Sequence, residues 1–151
     1  MSSNAPIEVR PFADSDRPAW EALYRSYAEF YGVGQDAAAR ARVWAWLKDK
    51  SHPVRGLGAS DHGLLLGLAH FRRFPRPLVA AEGLFLDDLF VTPEARGRGI
   101  ARALIEALVE LARQERCTLL RWITADDNYQ ARRLYDTVAT RTSWVTYDLL
   151  P

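Results

Sequence analysis

Apolar positions recur along the chain in two rhythms, every second residue and every third or fourth, and these divide it into strands and helices. Ile7-Glu8-Val9-Arg10 alternates and stops at Pro11, which predicts a short first strand. Trp20, Leu23, Tyr24, Tyr27, Phe30 and Tyr31 form one helical stripe ending at Gly32, with Asp14 or Ser15 as its cap. A second helix is predicted over Gln35–Lys50, with Val43, Trp46 and Leu47 inward, closed near Ser51-His52-Pro53. Val54–Ala59 and Leu64–Phe74 flank the turn-rich Ser60-Asp61-His62-Gly63 and read as a hairpin, and Pro75-Arg76-Pro77 then loosens the chain. Thr118–Thr124 carries apolar residues on both faces, Leu120 and Trp122 against Leu119 and Ile123, as an interior strand does. Ala131, Leu134, Tyr135 and Val138 predict a last helix, and Ser143–Leu149 a last strand.

The stretch Leu84–Arg113 carries the most chemistry. An apolar run with two acids, Leu84–Val91, breaks at Thr92-Pro93. The basic segment Arg96-Gly97-Arg98-Gly99 then opens a helix with Ile100, Leu104, Ala107, Leu108 and Leu111 on one face. The first N–H groups of a helix have no intrahelical partner and carry the positive end of its dipole, so a glycine-bearing entry is a ready anion site. Gly97 and Gly99 let the backbone approach an anion closely, and Arg96 and Arg98 add charge. A phosphate-bearing ligand over Arg96–Ala101 is the expectation; on spacing alone, a simple turn starting a helix is the competing reading.

Arg96-x-x-Gly99-x-Ala101, preceded by Leu86-Asp87-Asp88-Leu89-Phe90-Val91, resembles the pyrophosphate loop of the GNAT superfamily of N-acetyltransferases. Asn128-Tyr129-Gln130-Ala131-Arg132-Arg133-Leu134-Tyr135 is similar to that family's Asn-x-x-Ala-x-x-Leu/Phe-Tyr helix. Within the superfamily the chain most resembles the yeast histone/polyamine and D-amino-acid acetyltransferase group, with diamine acetyltransferases as near neighbours. The resemblance implies an α/β (α+β) fold, a twisted, mostly antiparallel mixed sheet with about four helices on its faces, over a single domain, 1–151. It implies acetyl-CoA as cofactor, leaving as coenzyme A, and a small-molecule primary amine as acceptor.

The same resemblance distributes roles. Leu89, Phe90, Val91, Arg96, Gly97, Arg98, Gly99, Ile100, Ala101, Asn128 and Tyr135 would bind the cofactor, with Tyr135 as the acid for the departing thiolate. Asp87 would be a water-linked base and Asp88 an amine-recognition group, an assignment that a β-bulge could reverse. Tyr27 and Tyr31 would touch substrate, as Phe30 would from the same stripe. Second readings stay open for Tyr135 as a core tyrosine, for Asn128, or Asp127 before it, as a helix cap, and for Asp87 and Asp88 as capped or paired surface aspartates. An acceptor with a carboxylate calls for a cation such as Arg72, Arg73 or Arg76, whereas a polyamine calls for acids such as Glu29, Asp36 or Glu82. The family's Leu-Gly-Phe-like turn after the tyrosine is absent, since Asp136-Thr137-Val138-Ala139 follows, and this leaves the helix exit and last strand open.

Composition narrows the rest. Twenty basic against nineteen acidic residues argue against an obligate nucleic-acid partner. The single cysteine, Cys117, asks for no oxidising compartment and reads as a small apolar residue. No membrane span or signal peptide is predicted, so the cytoplasm is the expected location. His52, His62 and His70 are scattered without ligand spacing, and no metal is expected. A homodimer is expected from the family, with Trp144, Val145 and Tyr147 of the last strand either completing its interface or belonging to the intrachain core. A non-catalytic acyl-CoA sensor, an interaction module on the same fold, and a protein-lysine acetyltransferase are the alternatives.

Overall fold

The computed structural model describes residues 6–151. Strands β1 (Glu8–Arg10), β2 (Val54–Asp61), β3 (Leu64–Arg76) and β4 (Ala81–Val91) form an antiparallel meander in spatial order, and β5 (Leu120–Arg121) adds to β4 in parallel. The parallel step needs a crossover, supplied by helix α3 (Ile100–Gln114). Helices α1 (Arg17–Phe30) and α2 (Ala37–Lys48) follow β1, and α4 (Tyr129–Val138) follows β5. The expected mixed, mostly antiparallel sheet with four helices is the architecture observed.

Two apolar cores lie on opposite faces of the sheet. On one, Ile100, Leu104, Ile105 and Leu108 of α3 pack against Leu57, Ala69, Phe71, Leu84 and Leu86, with Leu134, Tyr135 and Val138 of α4 at the margin. On the other, Trp20 and Leu23 of α1 and Trp44 of α2 meet Leu65, Leu68 and Phe90. The β2–β3 turn is only His62-Gly63, both at positive φ (48° and 81°), the two-residue loop whose twist matches antiparallel strands.

Several expectations are corrected. Neither Asp14 nor Ser15 caps α1: both lie in a 3₁₀ turn, and the third residue of that turn, Asp16, binds Arg10 (2.6 Å) and the Ala13 N–H (2.7 Å). On α2 (capped by Asp36) Val43 and Leu47 pack on the core as expected, together with the buried Trp44 and Arg40, but Trp46 is turned outward to stack on His52, because two residues on from Trp44 is more than half a helical turn. Thr118–Thr124 is not an interior strand. Only Leu120–Arg121 pairs, at the sheet's edge, and Ile123 is exposed. The last strand over Ser143–Leu149 is absent: Arg141–Pro151 has no regular structure, with Trp144 85% and Tyr147 89% exposed. Ala139 leaves α4 fully extended, and no left-handed residue reverses the chain onto β5.

One irregularity positions the site. In the β3–β4 register His70 faces Asp88 and Phe71 faces Leu86, so Asp87 is an extra residue on β4, a β-bulge. Leu86 and Asp88 would share a face in a regular strand; the bulge sends Leu86 into the α3 core and Asp88 to the α1 side. A bulge also bends its strand. β4 pairs with β5 only at Leu84 and Phe85, immediately before it, and Leu86–Val91 has no strand beside it on that side.

Candidate active site

The open edge of β4, the start of α3 and the near face of α4 enclose a cleft of about 410 Å³. Leu89, Phe90, Val91, Arg96, Gly97, Gly99, Ile100, Ala101, Asn128 and Tyr135 all line it, as does Tyr31. Gly97 and Gly99 sit at φ +82° and +77°, the left-handed region that favours glycine, and open space surrounds both Cα positions. No side chain caps α3, so its first N–H groups are left for an external acceptor.

Of the predicted cofactor residues, Arg98 alone is absent from the cleft wall. Its guanidinium reaches back to Asp61 of the hairpin at 2.6 Å. Arg96 instead lies over Phe30 (5.3 Å) and Phe90 (5.7 Å), its Nε donating to the Val91 carbonyl at 3.4 Å. Sequence reading missed Arg102, Gln130 and Arg133 on the cleft wall. Adjacency to Ala101 and Ala131 was the available signal.

Asn128 caps α4: its Oδ1 accepts from the Ala131 N–H at 3.4 Å, while its Nδ2 donates to Tyr31 and to Thr124, each at 3.3 Å. Asp127 is not the cap. Tyr135, one ring away from Trp122 (5.3 Å, edge-on), has its hydroxyl pushed up to about 12 by burial.

Beyond Tyr135 lies a second recess of about 20 Å³, lined by Tyr27, Tyr31, Asp87, Leu89, Trp122, Thr124 and Tyr135 among others. That is room for about one water. Tyr31, Leu89 and Tyr135 belong to both spaces, so cleft and recess meet across these three side chains. Asp87 is the acid in the recess; burial pushes its carboxyl up, and Arg72, donating from Nε at 3.2 Å, pulls it only part of the way back.

Asp88 points elsewhere, into the α1 side. His70, 1% exposed, accepts from Trp20 Nε1 at 2.9 Å through its Nε2. An indole nitrogen only donates, so the ring proton of His70 sits on Nδ1, 2.8 Å from Asp88 Oδ2, which also accepts from Tyr24 at 3.1 Å. Burial pushes the Asp88 carboxyl up, but hydrogen bonds from His70, Tyr24 and Tyr27 outweigh it and hold the group below its ordinary value. Asp88→Asn is therefore expected to cost about 1–3 kcal/mol at neutral pH. A depressed folded-state value means that the contribution is complete above the unfolded carboxylate value of about 3.9 and fades as pH falls below it. Denaturant melts should show the gap between parent and variant closing in acid; a gap independent of pH would refute the assignment.

Comparison with known proteins follows the same outline. The model of the acetyltransferase (GNAT) family matches residues 20–138. The chain is 29% identical over 146 residues to the D-amino-acid N-acetyltransferase HPA3 of Saccharomyces cerevisiae, covering 95% of this chain and 91% of the relative. It is 44% identical to a Caenorhabditis elegans thialysine N-epsilon-acetyltransferase over 55 residues, 36% of this chain and 34% of the relative. Among solved structures, ribosomal-protein-alanine N-acetyltransferase from Brucella melitensis biovar Abortus 2308 shares the fold with a TM-score of 0.81. That match has 24% identity and covers 97% of this chain and 99% of that one.

Proposed function

The chain belongs to the acetyltransferase (GNAT) family and is an acetyl-CoA-dependent N-acetyltransferase; from that premise we propose that it acetylates the primary amine of a small molecule by direct attack in a ternary complex. The observation that carries this reading is the meeting of cleft and recess at Tyr31, Leu89 and Tyr135. One space suits a long phosphorylated ligand, and the other presents a carboxylate to an incoming amine. The activities of the yeast and nematode relatives, on a D-amino acid and on thialysine, support a small amine as acceptor.

The residues present fit acetyl-CoA. Gly97 and Gly99 leave open a cradle that side chains would fill, the first N–H groups of α3 are uncapped, and the free edge of β4 offers backbone groups along the cleft. When bound, acetyl-CoA supplies a thioester whose carbonyl is open to an amine. The N–H groups at the start of α3 would hold its pyrophosphate oxygens, Leu89–Val91 would hydrogen-bond its pantetheine arm, and the N–H groups near Phe90–Val91 would polarise its carbonyl. Tyr135, protonated throughout the neutral range, would donate to the departing sulfur. Asp87 takes the amine proton through the water-sized recess, and its raised value suits a base better than an ordinary exposed aspartate.

A free-thiol assay of the purified protein with acetyl-CoA and a panel of amines tests this reading. Thiol release with small primary amines is the expected result. Binding of acetyl-CoA without turnover on any amine would identify a sensor, and turnover on protein lysines alone would displace the small-molecule acceptor.

The same reading includes a cytoplasmic homodimer. No helix of the described residues is long and apolar enough to cross a membrane, and Cys117 is a free thiol. Trp144, Val145 and Tyr147 are exposed on a segment without regular structure, and beyond Arg121 the chain offers no further strand to cover β5. Light scattering should give a dimer that becomes a monomer on truncation after Thr140; an unchanged mass would remove the tail from the interface.

A further inference from the structure

We propose that Arg72 and Asp87 together form a receptor for a zwitterion, so that the acceptor is an α-amino acid acetylated at its α-amine. The inference rests on the reading of Asp87 as the group that meets the acceptor amine, and it names the substrate class. The recess has room for about one water, so the body of the amino acid lies outside it, where Arg72 and Asp87 reach solvent.

Three cations were candidates for holding a carboxylate, and their surroundings differ. Arg73 is already engaged by Glu82 and, at 3.4 Å, by Glu115. Arg76 donates to the hydroxyl of Thr118 at 2.7 Å, against the far end of β4. Arg72 has one carboxylate partner among the described residues, Asp87, and Asp87 lines the recess.

The form of that pair leaves it open to exchange. Arg72 uses only Nε, at 3.2 and 3.3 Å from the two carboxylate oxygens, and its terminal nitrogens make no hydrogen bond among the described residues. The strong geometry for a guanidinium and a carboxylate is bidentate, and here much of that fork is unspent. Both side chains remain in reach of solvent, at 40% and 33% exposure, so a ligand can compete for either partner. Phe85 lies beneath the guanidinium at 4.7 Å and limits its movement.

A cation and an anion side by side are matched by a ligand carrying the opposite charges the same short distance apart. An α-amino acid does so: its carboxylate takes the fork of Arg72 while its ammonium meets Asp87. A diamine leaves Arg72 facing a second positive charge. An ω-amine on a long chain sets its two charges too far apart for one ion pair.

The test compares kcat/KM for alanine and leucine with ethylamine, 3-methylbutylamine and 1,4-diaminobutane, in the parent enzyme and in Arg72→Gln, Arg72→Lys and Arg121→Gln. Arg121 rests on Phe74 and is the control cation. The parent should prefer the amino acids. Arg72→Gln should lower kcat/KM for them about 10- to 100-fold, chiefly through KM, as the loss of a charge-assisted bond predicts. The plain amines should hold steady or improve, Arg72→Lys should recover part of the loss, and Arg121→Gln should leave the preference unchanged. Equal losses on both substrate classes, or a parent enzyme preferring the plain amines, would overturn this inference alone. Acetyl-CoA binding without acetylation of any amine would overturn the amine-acceptor reading and this inference with it.

Discussion

Gly99→Glu is expected to abolish acetyl-CoA binding in isothermal titration while leaving the circular dichroism of the fold in place. Gly99 stands at φ +77° directly before α3, with nothing within 4 Å of where a β-carbon would lie. The protein accommodates the side chain at about 1–2 kcal/mol of backbone strain. The ligand does not, because a carboxylate at the helix start occupies the place offered to phosphate and opposes its charge. Two like charges about 4 Å apart near a protein surface repel by about 4 kcal/mol, roughly a thousandfold in affinity. Unchanged binding would move the cofactor away from this loop.

Tyr135→Phe is expected to lower kcat by about 100-fold or more, the range for losing a positioned acid, with little change in KM for acetyl-CoA. The variant keeps the aromatic packing on Trp122 and removes only the hydroxyl. With that hydroxyl held at about 12, the parent should show no alkaline loss from this group below about pH 11. Steady-state kinetics in both acetyl-CoA and amine decide the matter. A kcat within twofold of the parent would make Tyr135 a packing residue and leave the sulfur to another donor.

The cofactor half of the site was legible because its determinants are local. A strand, two glycines and an amphipathic helix follow one another within Leu84–Arg113, and the cleft is built from these and α4. What escaped depends on register and on distant partners. The pairing of His70 with Asp88 spans eighteen positions and passes through a bulge that no hydropathy pattern announces. Trp44 and Trp46 are both large and apolar, but two residues apart they lie on opposite sides of α2, and which side meets the sheet is decided by partners far along the chain. Ser143–Leu149 has the alternation of a strand, but a strand also needs a neighbour, and a chain leaving α4 without a reversing turn finds none. Arg98 looked like a phosphate ligand by position; Asp61, thirty-seven residues earlier, claims it.

The bulge at Asp87 makes β4 a signal with a phase inversion in it. Leu84 and Leu86 mark the α3 face with even numbers, and Leu89 and Val91 mark the same face with odd ones. Summed over the whole strand, the two halves cancel, and the segment looks less periodic than either part. The defect in the wave coincides with the residue pair that carries the acids and with the point where the neighbouring strand departs. Deleting Asp87 would bring the two halves back into phase with Leu89 and Val91 still on the face they share with α3, so the core would survive while the bend and the acid of the recess were lost.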